Sequence, residues 1–202
     1  MMNRFSHLIF DYDGTLINNK DAFLHTLSDT IKEFGKEVPN NIEKCYGLTE
    51  DAIFSFFELN SQIKKTFFQQ WYNKMIHSDI ALFDGIREAL QKLSDYGYEL
   101  GILSSRKTEY VRASLSKHGI SHLFTVINGA EFSTVHKPNP QPLYNYLSHN
   151  NLRSEQVLYI GDLTTDEICA NAAGVAFAYA GWSRTMSHTI FDSIDEMMEM
   201  LL

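Results

Sequence analysis

The chain has 202 residues, 44% of them hydrophobic and 21% charged, and a formal net charge of −8 at pH 7. That length fits one domain, or one domain carrying a modest insertion, and the composition is that of a soluble globular protein with a sizeable core. The negative balance argues against non-specific nucleic-acid binding, which needs Lys and Arg to neutralise phosphates. A small phosphorylated substrate stays admissible, because a metal and a few local cations suffice to hold one. Cys45 and Cys169 are far apart and show no metal-binding spacing, so two free thiols in a reducing compartment are expected. The apolar run after Arg4 is broken by Asp11 before a secretory leader can develop. No stretch approaches the roughly 20 apolar residues of a membrane span. A cytoplasmic protein with no membrane partner is the expectation; oligomeric state is not legible.

Residues 7–10 read as a short buried strand that runs into Asp11-Tyr12-Asp13-Gly14-Thr15. On an extended chain, residues i and i+2 share a face, so Asp11 and Asp13 are expected to converge at the strand's C-terminal end. Two such acids repel unless a cation or a shared proton offsets them, which marks a candidate active site. From residue 17 to 83 no strand pattern appears. Apolar residues recur at helical spacing over 21–34, a short helix is expected over 42–46, Thr49 caps a helix through Phe57, and Ser61 caps another to about His77. Phe54, Phe56, Phe57, Phe67, Phe68, Trp71 and Tyr72 read as the core of this all-helical insertion.

The pattern then alternates. Helices are expected over 86–93, 110–118, 166–173 and through Leu143 and Leu147, with strands over 98–103, 124–127, 157–160 and 175–179. Ser193 and Glu196 spell a capping box for a last helix through Leu201. Strand–helix alternation implies a Rossmann-like α/β core with a parallel sheet and helices on both faces. The core is assigned to residues 1–16 and 84–202, the helical cap to 17–83. Asp11, Asp13, Ser104 and Asp162 all follow strands and so fall on one edge of that sheet, and Lys137 lies in a loop from which its side chain can reach the same edge.

These pieces, in order, resemble the haloacid dehalogenase superfamily in its phosphoglycolate-phosphatase-like branch: Asp11-Tyr12-Asp13-Gly14-Thr15, Ser104 after an apolar strand, Lys137-Pro138, and Gly161-Asp162 with Asp166. Asp84-Gly85 stands where relatives often have Pro-Gly, and Ser104 where many have Thr. The resemblance implies a phosphatase that works through an aspartyl-phosphate on Asp11, with Asp13 as acid and then base. Mg²⁺ is the implied cofactor, held by Asp11, the Asp13 backbone carbonyl and Asp162, with Asp166 behind them. Ser104 and Lys137 bind the phosphoryl group, and the cap closes over the site. Asp13 also separates this pattern from the family's dehalogenases, which lack the second Asp. A sugar-phosphate phosphomutase of the same superfamily and a non-catalytic binding module stay open. A small phosphorylated metabolite is the expected substrate, with phosphoglycolate, another phosphomonoester, a nucleoside monophosphate and pyrophosphate all open.

Overall fold

In the computed structural model, residues 5–78, 80–183 and 191–202 are described; Arg4, where the leader reading starts, lies outside them. Two compact units emerge, one of residues up to Asn18 together with Leu82–Leu202, the other Asn19–Ala81.

The elements in chain order are β1 (His7–Phe10), β2 (Ile17–Asn18), α1 (Lys20–Glu33), α2 (Glu50–Phe56), α3 (Lys64–His77), β3 (Ala81–Leu82), α4 (Ile86–Asp95) and β4 (Glu99–Leu103). They continue with α5 (Thr108–Lys117), β5 (Val126–Asn128), α6 (Gln141–His149), β6 (Val157–Gly161), α7 (Thr164–Ala173), β7 (Ala176–Tyr179) and α8 (Ile194–Leu201). The first unit is a five-stranded parallel sheet in the order β5-β4-β1-β6-β7. β1 lies in the middle, with Phe10 opposite Ile102 on one side and Ile160 on the other. From β1 the chain builds outward to β5, then returns and builds outward to β7. That reversal makes the C-terminal end of β1 the switch point, where open α/β sheets bind ligands.

Strands buried on both faces read as continuous apolar runs, and β1, β4 and β6 do so. Ile9, Leu103, Val157 and Tyr159 pack with Leu143 and Tyr146 of α6 and Ala170 of α7. Leu8, Phe10, Ile102, Leu158 and Ile160, which alternate with them, are equally buried. At the N-terminal edge, buried His7 shares a 2.8 Å hydrogen bond with the Tyr146 hydroxyl. A side chain at Gly101 would overlap that hydroxyl.

The second unit is helical, with an aromatic core: Trp71 lies edge-on to Phe23 at 5.0 Å and donates its indole N–H to Thr26. Thr49 caps α2 as expected, accepting from the Ala52 N–H. The cap expected at Ser61 is instead Asn60, whose side chain accepts from the Gln62 N–H; residues 61–63 form a 3₁₀ turn before α3 begins. The two-residue strands β2 and β3, which pair with each other, depart from the strand-free reading of 17–83. Two residues are too few to display a period of two. At α8 the capping box is half formed: Ser193 accepts from the Glu196 N–H, while the Glu196 carboxylate reaches back to the N–H of Asp192. Both cysteines are buried free thiols. Among the described residues, no helix is long and apolar enough to cross a membrane.

Candidate active site

Asp11 is the first residue past β1, its N–H still held by the Ile160 carbonyl at 2.8 Å. Gly14 has φ +77°, and a tight turn follows in which the Gly14 N–H meets the Ile17 carbonyl and the Leu16 N–H that of Tyr12. A Cβ at Gly14 would stand 2.2 Å from an Asp162 carboxylate oxygen, so glycine is needed there for both backbone and space. Gly161 has the second role: a Cβ there would lie 2.8 Å from the Asp166 side chain.

Asp162 follows β6, and Asp166 lies in the first turn of α7. Asp11, Asp162 and Asp166 each offer a carboxylate oxygen within 4.8 Å of the others, and all three are buried. Lys137 reaches in from the loop before α6, its side chain 8% exposed. Its ammonium donates to Asp11 Oδ1 at 2.7 Å, Asp166 Oδ1 at 2.6 Å and the Tyr159 hydroxyl at 3.0 Å. Tyr159 in turn donates to Asp166 Oδ1 at 2.9 Å, while Asp166 Oδ2 accepts from the Leu163 N–H at 3.1 Å.

The electrostatics follow from that crowding. Burial pushes the Asp11 carboxyl up to about 7; Lys137 pulls it down, and the neighbouring Asp166 and Asp13 charges add to the rise. Burial by itself would lower the Lys137 pKa, but Asp11 and Asp166 outweigh it and hold the group well above its ordinary value. The ammonium therefore stays charged. Buried carboxylates that offer only oxygen, Asp11 and Asp162 foremost, fit a hard divalent cation such as Mg²⁺.

Asp13 departs from the expected convergence. Its carboxylate is not in the acidic trio; Oδ2 instead accepts from Nε of Arg106 at 2.6 Å, both side chains being at least 95% buried. The strand ends at Phe10, so the extended geometry that puts i and i+2 on one face no longer applies. Each acid of the first motif thus has its own cation: Lys137 for Asp11, Arg106 for Asp13.

Ser104 follows β4 and is buried. Its oxygen accepts from the Arg106 N–H at 3.1 Å, which leaves its own O–H as a donor. Ser104 and Lys137 line one cleft together with Ser105, Gly129, Ser133 and His136. The structure therefore gathers Asp11, Asp162 and Asp166, bonds Lys137 to the first and last of them, sets Ser104 beside Lys137 on one cleft, and turns Asp13 toward Arg106. Arg106 and Tyr159 are the two site residues that sequence reasoning misses; Tyr159 lies inside the apolar run 157–160. A polar residue just past a buried strand, the signal that marked Ser104, extends to Arg106, three residues beyond Leu103.

In the second unit, Asn19 stands at the start of α1, but its side chain accepts from the Tyr46 hydroxyl at 2.8 Å instead of capping the helix. Lys74 pairs with Glu33 and Lys64 with Asp51.

Comparison with known proteins bears on the family and the fold. The profile of the haloacid dehalogenase-like hydrolases matches residues 8–180. The pyrophosphatase PpaX of Listeria innocua is 31% identical over 191 residues, which cover 90% of this chain and 88% of that one. The phosphoglycolate phosphatase of Haemophilus influenzae (strain 86-028NP) is 27% identical over 193 residues, 87% of this chain and 85% of that one. Among solved structures, CbbY from Rhodobacter sphaeroides in complex with phosphate superposes with a TM-score of 0.81 over 96% of each chain, at 17% identity.

Proposed function

The chain belongs to the haloacid dehalogenase-like hydrolase family, as an enzyme of the phosphoric monoester hydrolase type, and from that premise we propose that it hydrolyses a small phosphate ester or pyrophosphate through a phosphoryl group carried on Asp11. The observation that carries the reading is the Asp11 carboxylate at the switch point, within reach of Asp162 and Asp166 and bonded to Lys137.

A phosphate ester resists attack because ester and nucleophile are both anionic. A carboxylate nucleophile divides the reaction into two easier displacements. In the first, an Asp11 oxygen bonds to phosphorus, the bond to the leaving oxygen breaks, and that oxygen takes a proton from Asp13. In the second, Asp13 takes a proton from water, the water oxygen bonds to phosphorus, and Asp11 leaves as the carboxylate. Lys137 offsets charge on Asp11 and on the phosphoryl oxygens, and the Ser104 O–H donates to one of them. Asp11, Asp162 and the Asp13 carbonyl are the groups that would hold Mg²⁺, which supplies positive charge where two anions must meet. Asp166, with Oδ1 taken by Lys137 and Tyr159 and Oδ2 by Leu163, orients Lys137 from behind.

Pyrophosphate and phosphoglycolate head the substrate panel, since curated relatives bear those names. The test is phosphate release from both and from other small phosphomonoesters, with and without Mg²⁺, beside Asp11→Asn. Metal-dependent release absent from the variant is expected; a silent panel with a folded protein overturns the reading.

A further inference from the structure

Arg106 is 2% exposed and pairs through Nε with a carboxylate that is 4% exposed. A guanidinium so deeply enclosed is costly to keep unless it is bonded, and breaking such a pair leaves an uncompensated charge. The residue is anchored on its backbone as well. Its N–H is held by Ser104 Oγ, and its carbonyl accepts from the Ala130 N–H at 2.8 Å. Gly129 permits the close approach: a Cβ there would lie 2.5 Å from the Arg106 carbonyl oxygen and 2.3 Å from the Thr108 nitrogen. Tyr110 of α5 is buried, edge-on to Tyr12 at 6.2 Å.

We propose that Arg106 is a positioning residue: its guanidinium fixes the direction of the Asp13 carboxyl while its backbone fixes the Ser104 hydroxyl, setting proton donor and phosphate clamp in register. This rests on the phosphatase reading above. Lysine is a poor substitute, because a point charge on a flexible stem lacks the Nε–H, fixed in the guanidinium plane, that meets Asp13 Oδ2. The role concerns the leaving oxygen. An alkyl ester needs the proton from Asp13 as its P–O bond breaks; a nitrophenyl ester departs as a stabilised anion and needs it far less.

The test measures kcat/KM, which reports the first displacement, for wild type, Arg106→Met and Arg106→Lys on glycerol phosphate and p-nitrophenyl phosphate in Mg²⁺. General acid catalysis contributes about 10²–10⁴-fold, so Arg106→Met is expected to lose at least about tenfold more on the alkyl than on the nitrophenyl ester. Arg106→Lys is expected to fall between it and wild type. Equal losses on both esters, or none on either, overturn the proposal. Thermal melts check folding; if Arg106→Met does not fold, the same comparison is made on Arg106→Lys alone, where an alkyl-selective loss supports and an equal loss refutes. Failure of the underlying reading shows separately, as wild type that releases phosphate from neither ester or Asp11→Asn that keeps its activity.

Discussion

Replacing Lys137 with Met removes the single ammonium that binds Asp11, Asp166 and Tyr159 together. The two ion pairs are 2.7 and 2.6 Å long, and all three side chains are at least 92% buried. At an effective dielectric of roughly 20, each pair has a gross attraction of about 6 kcal/mol, most of which desolvation of the charges offsets. The variant keeps the desolvation and loses the attraction, so a cost of about 3–5 kcal/mol is expected, as for other broken buried pairs. At roughly 2–4 °C per kcal/mol for a chain of this size, the melting temperature in EDTA falls by roughly 6–20 °C. In Mg²⁺ the fall is smaller, because the cation offsets charge on the same carboxylates. Turnover falls further than stability suggests: a preorganised charge at the reacting group accounts for about 10²–10³ in kcat. Differential scanning fluorimetry with and without Mg²⁺, beside steady-state phosphate release, reads both quantities. A variant that melts within 2 °C of wild type in EDTA, or turns over at the wild-type rate, would refute the assignment of Lys137 as the hub.

Three further outcomes follow from the same geometry. Saturating Mg²⁺ at about 100 times its dissociation constant raises wild-type stability by about 2.7 kcal/mol; Asp162→Asn abolishes that shift in fluorimetry, and an undiminished shift places the cation elsewhere. Gly14→Ala combines a strained φ with a Cβ against Asp162; a loss of about 1–3 kcal/mol in urea unfolding is expected together with weakened Mg²⁺ binding, and a neutral effect on both argues against a tight turn at this edge. Burial lowers the His7 pKa from 6.5, with Glu99 opposing. His7 is thus held neutral in the folded protein, while the unfolded chain takes up a proton as pH falls through 6.5. Its contribution is complete above that pH and is lost as pH drops toward the folded value, so wild type loses unfolding free energy more steeply below 6.5 than His7→Gln. Parallel pH profiles would contradict this.

What could be read from the sequence, and what could not, divides along physical lines. β1, β4 and β6 were legible because central parallel strands are buried on both faces and so are apolar beyond their first residue. Their polar successors Asp11, Ser104 and Asp162 stood out against that background. The partners of those residues were harder to see. Tyr159 lies within an apolar run, where an aromatic ring is expected to serve packing, and nothing local shows that its hydroxyl meets Lys137. Arg106 comes soon after a strand as Ser104 does, but a guanidinium after two serines also fits an exposed turn; its pairing with Asp13, 93 residues earlier in the chain, leaves no local mark. The divergence of Asp13 from Asp11 depends on where β1 ends, which the i, i+2 rule does not address. Helix starts drifted by a few residues wherever the cap was ambiguous, as at Asn60 and Ser61.

The account stands most directly on Asp11 as the atom that receives phosphate. The measurement is peptide mass mapping after acid quench of the enzyme turning over p-nitrophenyl phosphate in Mg²⁺, in wild type and in Asp13→Asn, whose second displacement is slowed. The account predicts that the peptide carrying Asp11 gains the mass of one phosphoryl group, more fully in Asp13→Asn, and that Asp11→Asn shows neither the adduct nor turnover. Steady phosphate release with no adduct in either protein, and with activity retained in Asp11→Asn, would contradict it.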